Sequence, residues 1–478
     1  MSLPETPPPA PPADPARGEP RPLLPSRPPP SVPQQRRLGR KLRDALPREA
    51  HAVWRPPPDR RSPVDVLEAQ AADRLPDLVP VRYGRMLASP FAFFRGAAAV
   101  MAMDLATLPR TPLRVQLCGD AHLLNFGVYG SPERELVFDI NDFDETLEGP
   151  FEWDLKRLVT STVVAARQNG FRPAESRAAA RAAAAAYREA MRRFAGMGTL
   201  AIWYDRVTVD DVIRILDSRG ARKWAVDWIR KARSNTSMKA LNTLTRVVDG
   251  WHTIVDDPPL IEHLPPAEGA DLAARIRHDR DGYRHSLTPD RRHLLDQFRT
   301  LDIARKAVGV GSVGTRCYVV VLQGRTSGDP LFLQIKEAQA SVLESYLEKS
   351  PYRDHGERVV VGQRWMQAAS DIFLGWFQDE GGRSFYIRQL EDLKGTMPVE
   401  SVVPAGLLLY ARLCGRTLAN AHARAGDSIQ IAGYLGATAR FDEALVEFAE
   451  AYADQNERDF RALAAARKAG RIEAVFGK

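Results

Sequence analysis

Cys118-Gly119-Asp120-Ala121-His122-Leu123-Leu124-Asn125 is followed, after a turn at Tyr129-Gly130-Ser131-Pro132, by Phe138-Asp139-Ile140-Asn141-Asp142-Phe143-Asp144. Residues 113–117 form a short apolar run that reads as a strand delivering the chain into Gly119-Asp120, and residues 136–140 read as another. A carboxylate, a carboxamide five positions on and strand-borne carboxylates make an oxygen-rich set. Phosphoryl transfer with Mg²⁺ requires such a set, because a positioned carboxylate orients or deprotonates a hydroxyl while hard cations take oxygen ligands. Asp120 is the candidate catalytic residue. Asn125 and the aspartates Asp139, Asp142 and Asp144 are candidate metal ligands. Side chains alternate along a strand, so only some of these carboxylates face the site.

A second constellation lies far downstream. Gly309-Val310-Gly311-Ser312-Val313-Gly314 matches the GxGxxG pattern. In dinucleotide-binding folds such glycines open a helix. Here Thr315-Arg316-Cys317-Tyr318-Val319-Val320-Val321-Leu322 follows, which is β-branched, aromatic and strand-like. A strand–glycine loop–strand hairpin is the arrangement that drapes over ATP phosphates. The next predicted strand, 331–336, ends on Lys336. A lysine on an apolar strand is rare unless paired, and in this context it resembles the lysine that contacts the α- and β-phosphates in protein-kinase-like enzymes. Gly309, Gly311, Ser312, Gly314 and Lys336 are thus candidate nucleotide contacts. Glu337, Glu344 and Glu357 are all open as the partner of Lys336. A further strand, 384–390, brings Arg388 and Leu390 near the adenine.

Around these motifs, the 478 residues suffice for two lobes plus tails. Residues 1–60, rich in Pro, Arg and Ala, are expected to be a disordered tail. Residues 61–300 read as a helical lobe carrying Asp120 and the metal ligands. Residues 301–400 read as a small mixed nucleotide-binding lobe, and 401–478 as C-terminal helices packing on the large lobe. Helical spacing runs through 64–75, 90–108, 151–168, 174–194, 340–348, 356–369, 407–424 and 441–468, with a hairpin inside 236–253. The fold class is α+β.

The net charge of +7 is modest for this length and gives no strong nucleic-acid signal. Three cysteines, Cys118, Cys317 and Cys414, follow no metal-ligand spacing and are expected to be reduced thiols in a cytoplasmic protein. The opening MSLPETPPPAPPADP lacks a cationic and an apolar region, so no secretory signal is expected. No run of about 18 apolar residues predicts a membrane span.

The two constellations together resemble the aminoglycoside-phosphotransferase and protein-kinase-like superfamily. Its catalytic loop reads H-G-D-x-x-x-x-N, matched by Gly119-Asp120 and Asn125, with Cys118 in place of the histidine. Its metal segment reads I-D-F-[DE], matched at Asn141-Asp142-Phe143-Asp144, which favours Asp142 as the ligand with Asp144 assisting. Trp153-Asp154-Leu155-Lys156-Arg157-Leu158 resembles the following D-L-A-R segment, whose Asp buttresses the catalytic loop. Leu418-Ala419-Asn420-Ala421-His422 resembles the L-A-x-L-H helix that ordinarily precedes that loop. The order departs from the superfamily: the glycine loop and lysine follow the catalytic loop. The resemblance therefore implies a circularly permuted kinase-like two-lobe fold, which neighbouring termini make feasible. More closely, GDAHLLNFG (119–127), GVGSVGTR (309–316) and LQIKEA (333–338) resemble a bacterial family designated domain of unknown function 2252, over about residues 60–470.

The expected activity is ATP- and Mg²⁺-dependent phosphotransfer to an acceptor that the sequence does not define, with AMP transfer also left open. Two alternatives stand beside it. One is a nucleotide-binding pseudokinase acting as a regulatory module. The other is a metal-dependent phosphoesterase built on Asp120 and His122, since Asp-x-His is also a dinuclear metal motif.

Overall fold

The computed structural model describes residues 30–214, 219–265, 282–307, 309–390 and 393–477. Its fold is mixed α+β, with long helices around one large core and antiparallel sheets. Pro173–Phe194 is an alanine-rich helix that starts on proline, the residue best pre-set for a first helical position. Its small residues allow the helix Pro404–Ala425 to approach closely. A Cβ at Gly415 would lie 2.1 Å from the carbonyl oxygen of Ala183. Glu152–Gln168 and Arg440–Lys468 complete this helical layer. Tyr187, Leu155, Leu418 and Phe448 are buried in its core together with Cys118, Phe126 and Phe138 of the Asp120 region.

The largest sheet has six antiparallel strands, in the order Gly375–Gln378, Ser384–Gln389, Pro330–Ala338, Cys317–Gln323, Arg299–Lys306, Ile261–Glu262. Period-two alternation sorts Pro330–Ala338 by face. Leu331, Leu333 and Ile335 enter an apolar cluster with Phe377 and Phe385, whereas Phe332 enters another with Val319 and Val321. Lys336 is paired in register with Cys317 on one side and Tyr386 on the other. A second sheet runs Gly395–Thr396, Phe126–Gly130, Leu136–Ile140, Val207–Thr208. The expected hairpin in 236–253 is formed by Thr245–Val248 and Trp251–Ile254.

Two expectations need correction. The disordered tail of 1–60 does not extend through its second half; residues 1–29 lie outside the described residues. Val32–Ala45 is a helix, entered through Ser31, whose N–H donates to Gln34 Oε1 at 2.7 Å. It crosses Ser428–Leu435 at Gly39, where a Cβ would lie 2.0 Å from the carbonyl oxygen of Gln430. Arg43 donates to Tyr434 O at 2.8 Å and Arg48 to Leu435 O at 2.8 Å. These arginines satisfy the last carbonyls of the neighbouring helix, as cations at a helix C-terminus do. The anchors are Gly and Arg, which carry no apolar periodicity. The predicted helix at 340–348 is only a short 3₁₀ turn, Val342–Ser345. Ser341 both caps it and donates to Glu145 O at 2.8 Å, which pins the turn to the acidic segment.

Candidate active site

Asp120 sits in a loop held almost entirely through its backbone. Gly119 has φ +82°, and a Cβ there would lie 2.2 Å from Glu145 O, so both the conformation and the close approach call for glycine. Asp154, in the first turn of Glu152–Gln168, accepts the N–H of Cys118 at 2.8 Å and of Gly119 at 3.0 Å. His422 Nε2 lies 3.3 Å from the same carboxylate, and its Nδ1 lies 2.8 Å from the Tyr187 hydroxyl. Asn125 Nδ2 donates to Asp120 O at 2.7 Å, and Tyr410 donates to Leu123 O at 2.9 Å and Phe126 O at 2.8 Å. These bonds use backbone groups and do not engage the Asp120 carboxylate, which lines the cleft. There it meets Arg157 Nε, whose guanidinium also donates to Phe94 O at 2.9 Å.

The acidic segment is tied to this loop by the N–H of Asn141, which donates to Asn125 O at 2.8 Å. Asp144 receives Lys336 Nζ on Oδ2, the Ser312 hydroxyl on the same oxygen at 3.0 Å, and the Tyr386 hydroxyl on Oδ1 at 2.7 Å. Lys336 and Asp144, 192 positions apart in sequence, thus meet directly. Arg358, on the helix His355–Met366, donates to Asp144 O at 2.8 Å and Thr146 O at 2.6 Å and sets the backbone of the segment. Arg388 donates to Gln334 Oε1 at 2.9 Å and Asn141 O at 3.0 Å, joining sheet to segment.

The glycine loop folds over this cluster. It contains the 3₁₀ turn Val310–Ser312. Arg74 grips its outer side, donating to Gly311 O at 2.9 Å and also to Val313 O. The result is one cleft of about 110 Å³. Asp120, Asn125, Asp142 and Asp144 line one side of it; Gly309, Gly311, Ser312, Lys336 and Arg388 line the other.

The profile of a family described as "Uncharacterized protein conserved in bacteria (DUF2252)" matches residues 74–466. The chain belongs to the DUF2252 family. No curated protein and no solved structure matches it.

Not every expected residue of this DUF2252 protein reaches the cleft. Gly314, at φ +92°, turns away; a Cβ there would lie 3.0 Å from Arg74 Cβ. Leu390 is buried with Phe332, Leu241 and Ile254, because the helix Ser237–Leu244 covers that end of the sheet face. Asp139 also faces elsewhere, accepting the N–H of Ala368 at 3.0 Å, and burial raises its carboxyl to about pKa 6. None of the three glutamates considered for Lys336 is its partner. Glu337 pairs with Arg316 at 3.2 Å, Glu344 Oε1 stands 3.9 Å from Arg358 Nε, and Glu357 lies at the start of the helix His355–Met366. Asp144 takes that place.

The electrostatics of the cleft separate its carboxylates. Burial pushes Asp120 above the usual carboxylate range, against the pull of Arg157. Asp142 is raised by burial and by the neighbouring Asp144. Asp144 is buried too, yet the charge and hydrogen bond of Lys336 and the Tyr386 hydroxyl hold it low. Burial opposes the charge on Lys336, but Asp142 and Asp144 raise its pKa well above the ordinary value. Glu145, buried at the cleft edge, is raised to about 7.

Among the described residues no group of three His, Cys, Asp or Glu side chains could hold a metal ion alone. His122 is the one histidine among the described residues that lines the cleft; its Nε2 stands 3.7 Å from Asp120 Oδ2, and burial pushes its pKa far down. Sequence reasoning missed Gln70, Arg95 and Glu145 as lining residues and Arg74 and Arg358 as backbone clamps. No motif marks them, since each contributes through placement by the fold.

Proposed function

We propose that this DUF2252 protein is an ATP- and Mg²⁺-dependent phosphotransferase. The observation that carries the reading is the single cleft in which Asp120, Asn125, Asp142 and Asp144 face Gly309, Gly311, Ser312 and Lys336. Ser312 and Lys336 already bind an anion there, the Asp144 carboxylate. Donors that hold a carboxylate beside a glycine loop also suit phosphate oxygens.

Asp120 orients the acceptor hydroxyl and takes its proton as the acceptor oxygen bonds to the γ-phosphorus and the bond to the ADP oxygen breaks. Burial raises the Asp120 carboxyl, which favours proton uptake. Lys336 holds the nucleotide phosphates. Asn125, Asp142 and Asp144 supply the oxygen ligands for Mg²⁺, which when bound neutralises charge on the phosphates. The backbone bonds from Asp154 keep the Asp120 loop in place, so positioning rather than covalent chemistry does most of the catalysis. With the nucleotide half of the site coming second in the chain, we read the fold as a circularly permuted kinase-like one.

ATP labelled either at the γ- or at the α-phosphate, incubated with the protein, Mg²⁺ and a bacterial lysate, tests the reading. The γ label should pass to an acceptor and the α label should not. Transfer of the α label would show AMP transfer instead. Nucleotide binding with neither label transferred would mark the protein as a regulatory nucleotide-binding module.

A further inference from the structure

The helices that precede the Asp120 loop bring arginines beneath the glycine loop. Arg74 spends Nη1 and Nη2 on the loop carbonyls of Val313 and Gly311. Arg82, wholly buried, donates to Gln70 Oε1 at 2.6 Å and to Gly96 O at 3.1 Å, which fixes the end of the helix Pro90–Gly96. Arg95 is the next residue back. Its side chain lines the cleft beside Gln70, and its backbone carbonyl lies 3.7 Å from where a Cβ of Gly311 would stand. Among the described residues the Arg95 guanidinium makes no hydrogen bond and no ion pair, and its Nε is buried without a partner.

A half-buried charge with no partner costs stability unless something else compensates it. The charges of Asp120 and Glu400 offset this only in part: neither carboxylate bonds to Arg95, Asp120 being held by Arg157, and Asp144 is held by Lys336. A ligand anion would complete the arrangement, and Arg95 stands between the glycine loop and Asp120, which together bracket the group in transit from nucleotide to acceptor.

We infer that Arg95 is a catalytic residue that binds the terminal phosphate of ATP. This deepens the phosphotransferase reading and rests on it. Arg95 donates hydrogen bonds to the non-bridging oxygens of the γ-phosphoryl group before and during transfer. The acceptor oxygen bonds to the γ-phosphorus, the bond to the ADP oxygen breaks, the acceptor proton passes to Asp120, and Arg95 transfers none. A planar, permanently charged fork suits this task. Arg82 is a positioning residue, acting through Gln70 and Gly96.

The test is calorimetric titration of the full chain with ATP–Mg²⁺ and with ADP–Mg²⁺. The wild type should bind ATP more tightly than ADP. Arg95→Gln should lose roughly 10- to 100-fold in ATP affinity, the loss of bonds to a charged group. ADP affinity should stay within about twofold. The melting temperature of the free variant should be unchanged or raised, because no native partner is lost. Arg95→Lys, which keeps the charge, should show a smaller loss confined to ATP, and gives the same readout should the glutamine variant not fold. Unchanged ATP affinity, or equal losses for ATP and ADP, would overturn the assignment to the terminal phosphate. If the wild type binds neither nucleotide, the phosphotransferase reading itself falls, and this inference with it.

Discussion

Replacing Asp120 with Ala is expected to lower phosphoryl transfer by about 10²- to 10⁴-fold, the usual contribution of a positioned general base. ATP affinity should change by less than about twofold, because uniform binding is separate from stabilisation made only in the transition state. The structure supports this division of labour. The loop is held by Asp154, Tyr410 and Asn125 through backbone groups, none of which uses the Asp120 carboxylate. The carboxylate's own polar contact is with Arg157, which keeps Phe94 O and the Phe94 ring, 4.4 Å from its guanidinium carbon, when Asp120 is removed. Asp120→Asn is the companion variant. It can still accept from Arg157 but carries no charge, so it should be as inactive as the alanine variant at near-wild-type stability. Steady-state rates beside nucleotide titrations check both. Full activity in either variant would remove Asp120 from the mechanism.

Lys336→Ala should have the opposite signature, with binding lost first. A buried charge pair truncated on one side costs about 2–5 kcal/mol, or roughly 30- to several thousand-fold in dissociation constant. ATP and ADP should both weaken, in contrast to Arg95→Gln, because Lys336 serves the phosphates nearer the nucleoside. Lys336 is nearly inaccessible and sits on a central strand between Cys317 and Tyr386, so its stem also packs. Lys336→Met keeps that packing and separates the two effects. It should lose the nucleotide-induced rise in melting temperature that the wild type shows, while the free protein stays folded. A methionine variant still stabilised by ATP as the wild type is would mean that the lysine holds Asp144 for structural reasons alone.

The sequence made the polar half of this cleft legible because chemistry restricts its residue types. Asp120, Asn125, Asp142, the glycine loop and Lys336 all declare themselves by spacing within short motifs, and the fold brings them together. Asp154 and His422 were readable for the same reason, each standing in a motif of its own. What stayed hidden depends on long-range placement. The sequence offers glutamates that follow Lys336 as its partner, but strand alternation and the reach of the acidic segment bring Asp144 instead. Leu390 follows Arg388 on the same strand face, and only the position of the helix Ser237–Leu244 shows that this end is covered. Arg74, Arg95 and Arg358 lie in stretches without motif character, and Val32–Ala45 is anchored by glycine and arginine contacts that a hydrophobic pattern does not reveal.

The most direct measurement is a crystal structure of the protein grown with Mg²⁺ and a non-hydrolysable ATP analogue. The account predicts the triphosphate beneath Gly309–Ser312, within hydrogen-bonding distance of Lys336, with the metal at Asp142 and Asn125 and the terminal phosphate facing Asp120. A nucleotide bound outside this cleft, or one whose phosphates touch neither Lys336 nor the acidic segment, would contradict it.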